Sequence, residues 1–303
     1  MRETGINSTL KKPFSNLLSE IQVAVMPLEK LVICITFYYV LERPCFLTDL
    51  INGIAGVANQ ITLIIITNLD DSSLLEHLVG PLPENFTISY LHPSGIGHPF
   101  LLTWTHREIL EEVANKRDGS YFLYCEDDIL VTLENVLYWL ESRDALNSCG
   151  FYPSFLRVEY DLRRGAWVST DCPQGVSMKH QPILFLDNGD IYVNASNPYQ
   201  GMYLLDPDLI QEMVSSPAMS PDFGFWNIRE KAAQGLTFVN IPHGFHSRNL
   251  LRVEPIEMSI DRRSWLHHLS NNYALNDNTA FGSQPMDTFL KDIDHFRFLS
   301  LGS

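Results

Sequence analysis

The sequence predicts an α/β protein: a mainly parallel, Rossmann-type sheet with helices on both faces, extended in its second half by antiparallel structure. Three observations carry this prediction. Short runs rich in β-branched and aromatic residues and nearly free of charge, Leu31 to Tyr39, Ile61 to Thr67 and Tyr121 to Cys125, have the composition of strands buried on both faces. Between them lie segments whose apolar residues recur at spacings of three and four, as on one face of a helix. After about Gly150 the pattern changes, and Asp187-Asn188-Gly189-Asp190 is a hairpin signal because Asn-Gly accepts positive φ.

Taken in order, Leu31 to Tyr39 (LVICITFYY) is the first strand, and Phe46 to Val57 follows as a helix with Leu47, Leu50, Ile51 and Ile54 on one face. Ile61 to Thr67 is a second strand that runs into Asn68-Leu69-Asp70-Asp71, read as the cap of a further helix. Phe86 to Leu91 is a third strand, His92 to Pro99 a loop, and Phe100 to Asn115 a helix closed by Asp118-Gly119. Tyr121 to Cys125 leads into Glu126-Asp127-Asp128, and Thr132 caps the next helix. In the second half, Phe151 to Tyr160 and Ile183 to Val193 are strand-like, and Asp206-Pro207 opens a helix. Pro221-Asp222 opens another that ends at Gly235, and Leu236 to Ile241 is a last strand. The expected division is a polar lead (1–30), a ligand-binding half (31–150), a second half of the same domain (151–250) and a loop-rich tail over the site (251–303).

Charge and composition exclude several functions. The 303 residues carry 36 Asp and Glu against 21 Lys and Arg, a net −15, which opposes coating of nucleic acid or of acidic lipid. With 45% apolar and 19% charged residues the chain is too hydrophobic to be disordered. Its most apolar window, Leu31 to Leu41, is too short for a bilayer, which needs about 20 residues. Residues 1 to 20 lack the apolar core of a signal peptide. Five widely spaced cysteines without a CxxC pair are expected to be reduced, which points to the cytoplasm. On that expectation the sequons at Asn7, Asn85 and Asn194 carry no glycan.

The sharpest chemical feature is Glu126-Asp127-Asp128 at the carboxyl end of an apolar strand. Three like charges there call for a compensating cation, and a hard divalent ion such as Mn²⁺ or Mg²⁺, shared with phosphate oxygens, is the natural one. Arg248, Arg252, Arg262 and Arg263 offer guanidinium groups for a diphosphate. Arg107 either reaches the same ligand or pairs with Glu111 four residues on.

With YFLYCEDDI at a strand end, the chain resembles the glycosyltransferases of the GT-A fold, which bind a nucleotide sugar through a DxD-type metal motif. The order of later features is similar too: Pro198-Tyr199-Gln200-Gly201-Met202, then Pro221-Asp222, then His243 and His246. The resemblance implies that Asp128 is the metal ligand, with Glu126, which departs from the usual first Asp, serving the ribose or the metal beside Asp127. It implies a third ligand in His246 or His243, with His267-His268 as a later alternative. Tyr38 and Tyr39 would meet the nucleobase, and Gly201 would lie in the donor-side loop. Asp222 would be the base of an inverting transfer to a glycan or glycoconjugate hydroxyl, with Glu230 in reserve. Two other readings compete. A nucleotidyltransferase acting on sugar phosphates would need a Gly-rich basic loop after the first strand, and Tyr38 to Pro44 has no glycine. A non-catalytic carbohydrate-binding protein would keep the fold without turnover.

Overall fold

A computed structural model describes residues 28–172, 180–195 and 197–290. The polar lead up to residue 27, the sequon at Asn7 and the last thirteen residues lie outside the described residues. The chain runs β1 (Leu28–Phe37), α1 (Pro44–Ile54), β2 (Ala58–Thr67), α2 (Ser72–Val79), β3 (Phe86–Leu91), α3 (His106–Lys116), β4 (Tyr121–Glu126), β5 (Ile129–Leu130) and α4 (Leu133–Leu146). There follow β6 (Tyr152–Pro153), β7 (Leu156–Asp161), β8 (Ala166–Ser169), β9 (Ile183–Phe185), β10 (Ile191–Asn194), β11 (Met202–Leu205), α5 (Pro207–Val214) and α6 (Ile228–Lys231). Last come β12 (Asn249–Glu254), β13 (Ser259–Ile260), β14 (Trp265–His268) and β15 (Gln284–Pro285).

The main sheet has the order β11-β4-β1-β2-β3. β1 pairs in parallel with β2 and β4, β2 in parallel with β3, and β11 joins β4 antiparallel. Ile33, Cys34, Ile35 and Phe37 on adjacent positions of β1 are all fully buried, so both faces of the strand are covered, as its uncharged sequence requires. Helix α1 packs on α2, and α3 on α5. Asp71 caps α2 by accepting from the Leu74 N–H, and Thr132 and Asn135 form a capping box on α4.

Two smaller sheets build the other half. One has the order β13-β12-β10-β9, with β6 pairing β12, and contains the expected hairpin between β9 and β10. The other has the order β15-β8-β7-β14-β5. Strand β5 begins three residues after the first acid of the triad and pairs with β14, while the Leu269 N–H donates to the Asp128 carbonyl (2.8 Å). The acidic strand end is therefore stitched directly to the C-terminal strands.

Several expectations are corrected here. Residues 99–104 form a 3-10 helix, Pro99–Trp104, before α3 begins. No helix runs from Phe223 to Gln234, because Gly224 has φ +98 and the buried Gln234 side chain fills the space a β-carbon would need, donating to the Phe223 carbonyl. Only the four residues of α6 are helical in that segment. Leu236 to Ile241 is a series of turns tied by local bonds, Thr237 N–H to Gln234 and Val239 N–H to Leu236, with Asn240 at φ +51. Met202–Leu205, directly after the Gly201 segment, is a buried edge strand to which the sequence reading gave no element. Within residues 251–290 the strands β12 to β15 alternate with turns, β12 crosses the expected boundary at 250, and β14 runs inside a sheet.

Cys34, Cys45, Cys125 and Cys149 are free thiols. Asn194 is buried, and its Nδ2 donates to Ser247 and to the Asn249 carbonyl (2.8 Å); the Asn85 amide is engaged by the Ala58 carbonyl (2.9 Å). Among the described residues, no helix is long and apolar enough to cross a membrane.

Candidate active site

A cavity of about 370 Å³ opens where β1 and β4 end, between the main sheet, β7, β14 and α6. Glu126, Asp127, Asp128 and Tyr38 line it, and the structure brings them together as the sequence led one to expect. The other wall contains Arg157, Tyr199, Trp226, Arg229, Glu230 and His268.

Each acid of the triad has a different environment. Glu126 Oε1 accepts from the Tyr199 hydroxyl (2.6 Å), and its backbone N–H donates to the Gly201 carbonyl (2.9 Å). Burial, with Asp128 adding repulsion, pushes the Glu126 carboxyl up, against the attraction of Arg157, Tyr199 and Arg229. Asp127 lies on Arg43, whose Nε donates to Oδ2 (2.7 Å) and whose terminal nitrogen donates to Oδ1. Burial still pushes Asp127 up to about 7. Asp128 Oδ2 faces both Arg43 (3.1 Å) and His268 Nε2 (3.4 Å). Burial works against ionisation of Asp128, but the His268 hydrogen bond and the charges of His268 and Arg43 hold it well below the usual range.

His268 is oriented from behind. Its Nδ1 lies 2.5 Å from Glu159 Oε1, and Glu159 Oε2 accepts the backbone N–H groups of Tyr273 (2.9 Å) and Ala274 (2.6 Å). Burial tends to lower His268, yet hydrogen bonds to Asp128 and Glu159 raise it to about 9. Arg157 grips Asp171 through two nitrogens (2.9 and 2.6 Å), and its guanidinium stands 4.6 Å over the Tyr199 ring. Arg229 donates to Glu230 Oε1 (2.9 Å), while Glu230 Oε2 is buried without a hydrogen-bond partner.

These contacts bear on a metal. The second oxygen of Asp128, Oδ1, is buried with no partner, and the imidazole beside Asp128 is held on its far side by a carboxylate. A carboxylate and a backed histidine are donors suited to a hard-to-borderline divalent ion. Among the described residues no group of three or more His, Cys, Asp or Glu is placed to hold one. Two protein donors fit Mg²⁺ or Mn²⁺ completed by water and substrate phosphate.

Other residues singled out in the sequence are elsewhere. Asp222 is exposed and does not line the cavity. His243 and His246 are exposed and absent from the lining, and the His246 N–H is spent on Asn194 Oδ1 (2.8 Å). Arg248 is fixed on Glu212 (2.5 Å) and the Gly150 carbonyl (2.9 Å). Arg252 pairs with Asp190, Arg263 with Asp261 and Glu141, and Arg262 stacks on Trp265. Arg107 is buried and absent from the cavity lining, its hydrogen bonds going to Tyr203, Met213 and the Ala232 carbonyl and, among the described residues, not to Glu111. Tyr39 donates its N–H to Asn68 (2.7 Å) and packs on Phe37. Gly201, at φ +66, lies against Ile129 and Glu126, where a β-carbon would come within 2.9 Å, so it supports Glu126 rather than lining the cavity.

Sequence reasoning missed Arg43, Arg157, Arg229 and Glu159. Arg43 had a signal, as the sole cation in the turn after β1 at the carboxyl edge of the sheet.

No protein-family model matches the chain, and no curated protein matches it in sequence. Solved structures give distant likenesses. The 4-diphosphocytidyl-2C-methyl-D-erythritol synthase of Anaerococcus prevotii is 14% identical at a TM-score of 0.37, over 80% of this chain and 89% of its own. TarS of S. aureus is 13% identical at 0.34, over 68% of this chain and 56% of the TarS chain. An active-site mutant of LgtC is 16% identical at 0.32, over 68% and 69%. Likeness this distant says nothing of activity, which must be argued from the cavity.

Proposed function

We propose that the protein is a glycosyltransferase, moving a sugar from a nucleoside-diphosphate sugar to a hydroxyl of a glycan or glycoconjugate with inversion. The observation that supports this reading is one cavity holding two separate sets of groups. On one side are Asp128, His268 and Arg43; on the other, Glu230 presents a buried carboxylate oxygen with no partner.

In this reading Asp128 and His268 would hold Mn²⁺ or Mg²⁺, which when bound offsets the charge of the diphosphate. Arg43 and Arg229 supply further positive charge around the leaving group, in place of the distant Arg248. Glu126, held by Tyr199, is available to ribose hydroxyls, and Tyr38 to the base. Glu230 takes the base role first given to Asp222. It accepts the acceptor hydroxyl proton as that oxygen bonds to the anomeric carbon, while the carbon–oxygen bond to the diphosphate breaks and its electron pair leaves with the diphosphate.

The test is a panel of nucleotide sugars scored by thermal shift with and without Mn²⁺, followed by transfer assays. Glu230→Gln should lower transfer by about 10²- to 10⁴-fold with donor affinity within about twofold, and Asp222→Asn should leave both unchanged. Full activity in Glu230→Gln removes the base assignment. Absence of binding to every nucleotide sugar removes the reading as a whole, and a retained anomer by NMR removes inversion.

A further inference from the structure

Helix α6 carries both Arg229 and Glu230, yet it is only four residues long. A single helical turn has no stability of its own, because fixing its backbone costs more than its few hydrogen bonds return. Its position must be imposed from outside. Two side chains from the segment before β4 do so. The Trp104 indole N–H donates to the Ile228 carbonyl at the first residue of the turn (2.7 Å), and an Arg107 terminal nitrogen donates to the Ala232 carbonyl just past its end (3.1 Å). The two anchors also touch each other, with the guanidinium 5.0 Å from the Trp104 ring centroid.

Arg107 is expensive to keep in this place. It is 6% exposed, its Nε is buried without a partner, and its remaining contacts are the Tyr203 hydroxyl (3.3 Å), the Met213 sulfur (3.5 Å) and the Tyr203 ring. Among the described residues no carboxylate forms an ion pair with it. A buried guanidinium lacking a counter-ion is destabilising relative to an apolar side chain of the same size. Packing alone would be served as well by methionine, so the carbonyl of Ala232 is the contact that needs an arginine.

We infer that Trp104 and Arg107 form a clamp that fixes α6 and thereby sets Glu230 in the cavity. They are positioning residues, since neither lines the cavity. The catalytic part of this inference rests on the transferase reading, whereas the clamp itself does not. Displacing a reacting group by about 1 Å can cost on the order of 10²-fold in rate while leaving substrate binding alone.

The experiment uses Trp104→Phe, which deletes one N–H and keeps a ring over Arg107, together with Arg107→Met and Arg107→Lys. Amide hydrogen exchange over residues 228–234 needs no substrate. It should accelerate at least about tenfold in Trp104→Phe and Arg107→Met with β1 and β4 unchanged, and Arg107→Lys should recover part of the protection. Unchanged exchange in Trp104→Phe overturns the clamp. In transfer assays kcat should fall about tenfold or more with the donor KM within twofold. Faster exchange with an unchanged kcat overturns the positioning role. If the wild-type chain transfers no sugar, the transferase reading has failed, and the exchange result still decides the clamp.

Discussion

Two arginine–carboxylate clusters face the same cavity and differ in kind. Arg157 and Asp171 form a closed pair: both side chains are 6% exposed, two hydrogen bonds join them, and Thr170 and Asn197 bond to Asp171 as well. Burial works to lower Arg157, but Asp171, joined by Tyr199 and Glu126, holds it well above its ordinary value. Around Arg43 the accounting stays open. One guanidinium serves both Asp127 and Asp128, Asp127 remains pushed up to about 7, and Asp128 keeps a buried oxygen with no partner. A closed cluster fixes structure, whereas an open one has capacity left for a further cation. That difference, more than the count of acids, marks where a ligand belongs.

The contrast can be broken by substitution, and Asp171→Asn should do most. It orphans a buried guanidinium, so it should cost about 3–5 kcal/mol and lower Tm by roughly 5–10 °C, measured by calorimetry. Tyr199→Phe should cost less, about 1.5–3 kcal/mol, the worth of one hydrogen bond to a charged group. Asp128→Asn should cost about 1–3 kcal/mol of metal-free stability, less than Asp171→Asn, because it removes the attraction to His268 and Arg43 while Arg43 keeps Asp127 and His268 keeps Glu159. The same variant should lose all Mn²⁺-dependent stabilisation by nucleotide sugars in a thermal-shift assay. Equal Tm losses for the Asp171 and Asp128 variants would erase the distinction between the clusters.

The pH dependence sharpens the same comparison. His268 is raised in the folded state to about 9 from an ordinary value near 6.5. A group raised on folding stabilises fully below its unfolded pKa, and the contribution is lost as pH climbs through its folded pKa. Metal-free protein should therefore lose Tm between pH 7 and pH 9.5, and His268→Gln should flatten that slope. An unchanged slope in His268→Gln would mean that His268 does not hold its proton as the contacts require.

The parallel half was legible because its information is local. LVICITFYY and YFLYC could only be buried strands, and Glu126-Asp127-Asp128 following one of them could only lie at the carboxyl edge of the sheet. The rest of the site depends on pairings that no short window contains. His268 reaches Asp128 because β14 lies between β5 and β7, so the more conspicuous His243 and His246 drew attention instead. Asp222 looked like a helix cap, and Gly224 two residues later prevents the helix. The base candidate then passes to Glu230, whose setting depends on Trp104 and Arg107 more than a hundred residues earlier. Arg157 and Glu159 sit on a strand recognised in the sequence, but nothing local says which neighbours that strand has.

The ladder between β5 and β14, with the Leu269 N–H on the Asp128 carbonyl, has a kinetic consequence. It joins chain segments about 140 residues apart, and contacts of such separation form late in folding because the loop between them must close first. The parallel core can consolidate while the strand bearing His268 is still unattached. On refolding from denaturant, far-ultraviolet circular dichroism should recover before ligand binding does, and the interval between the two signals would time the closing of that ladder.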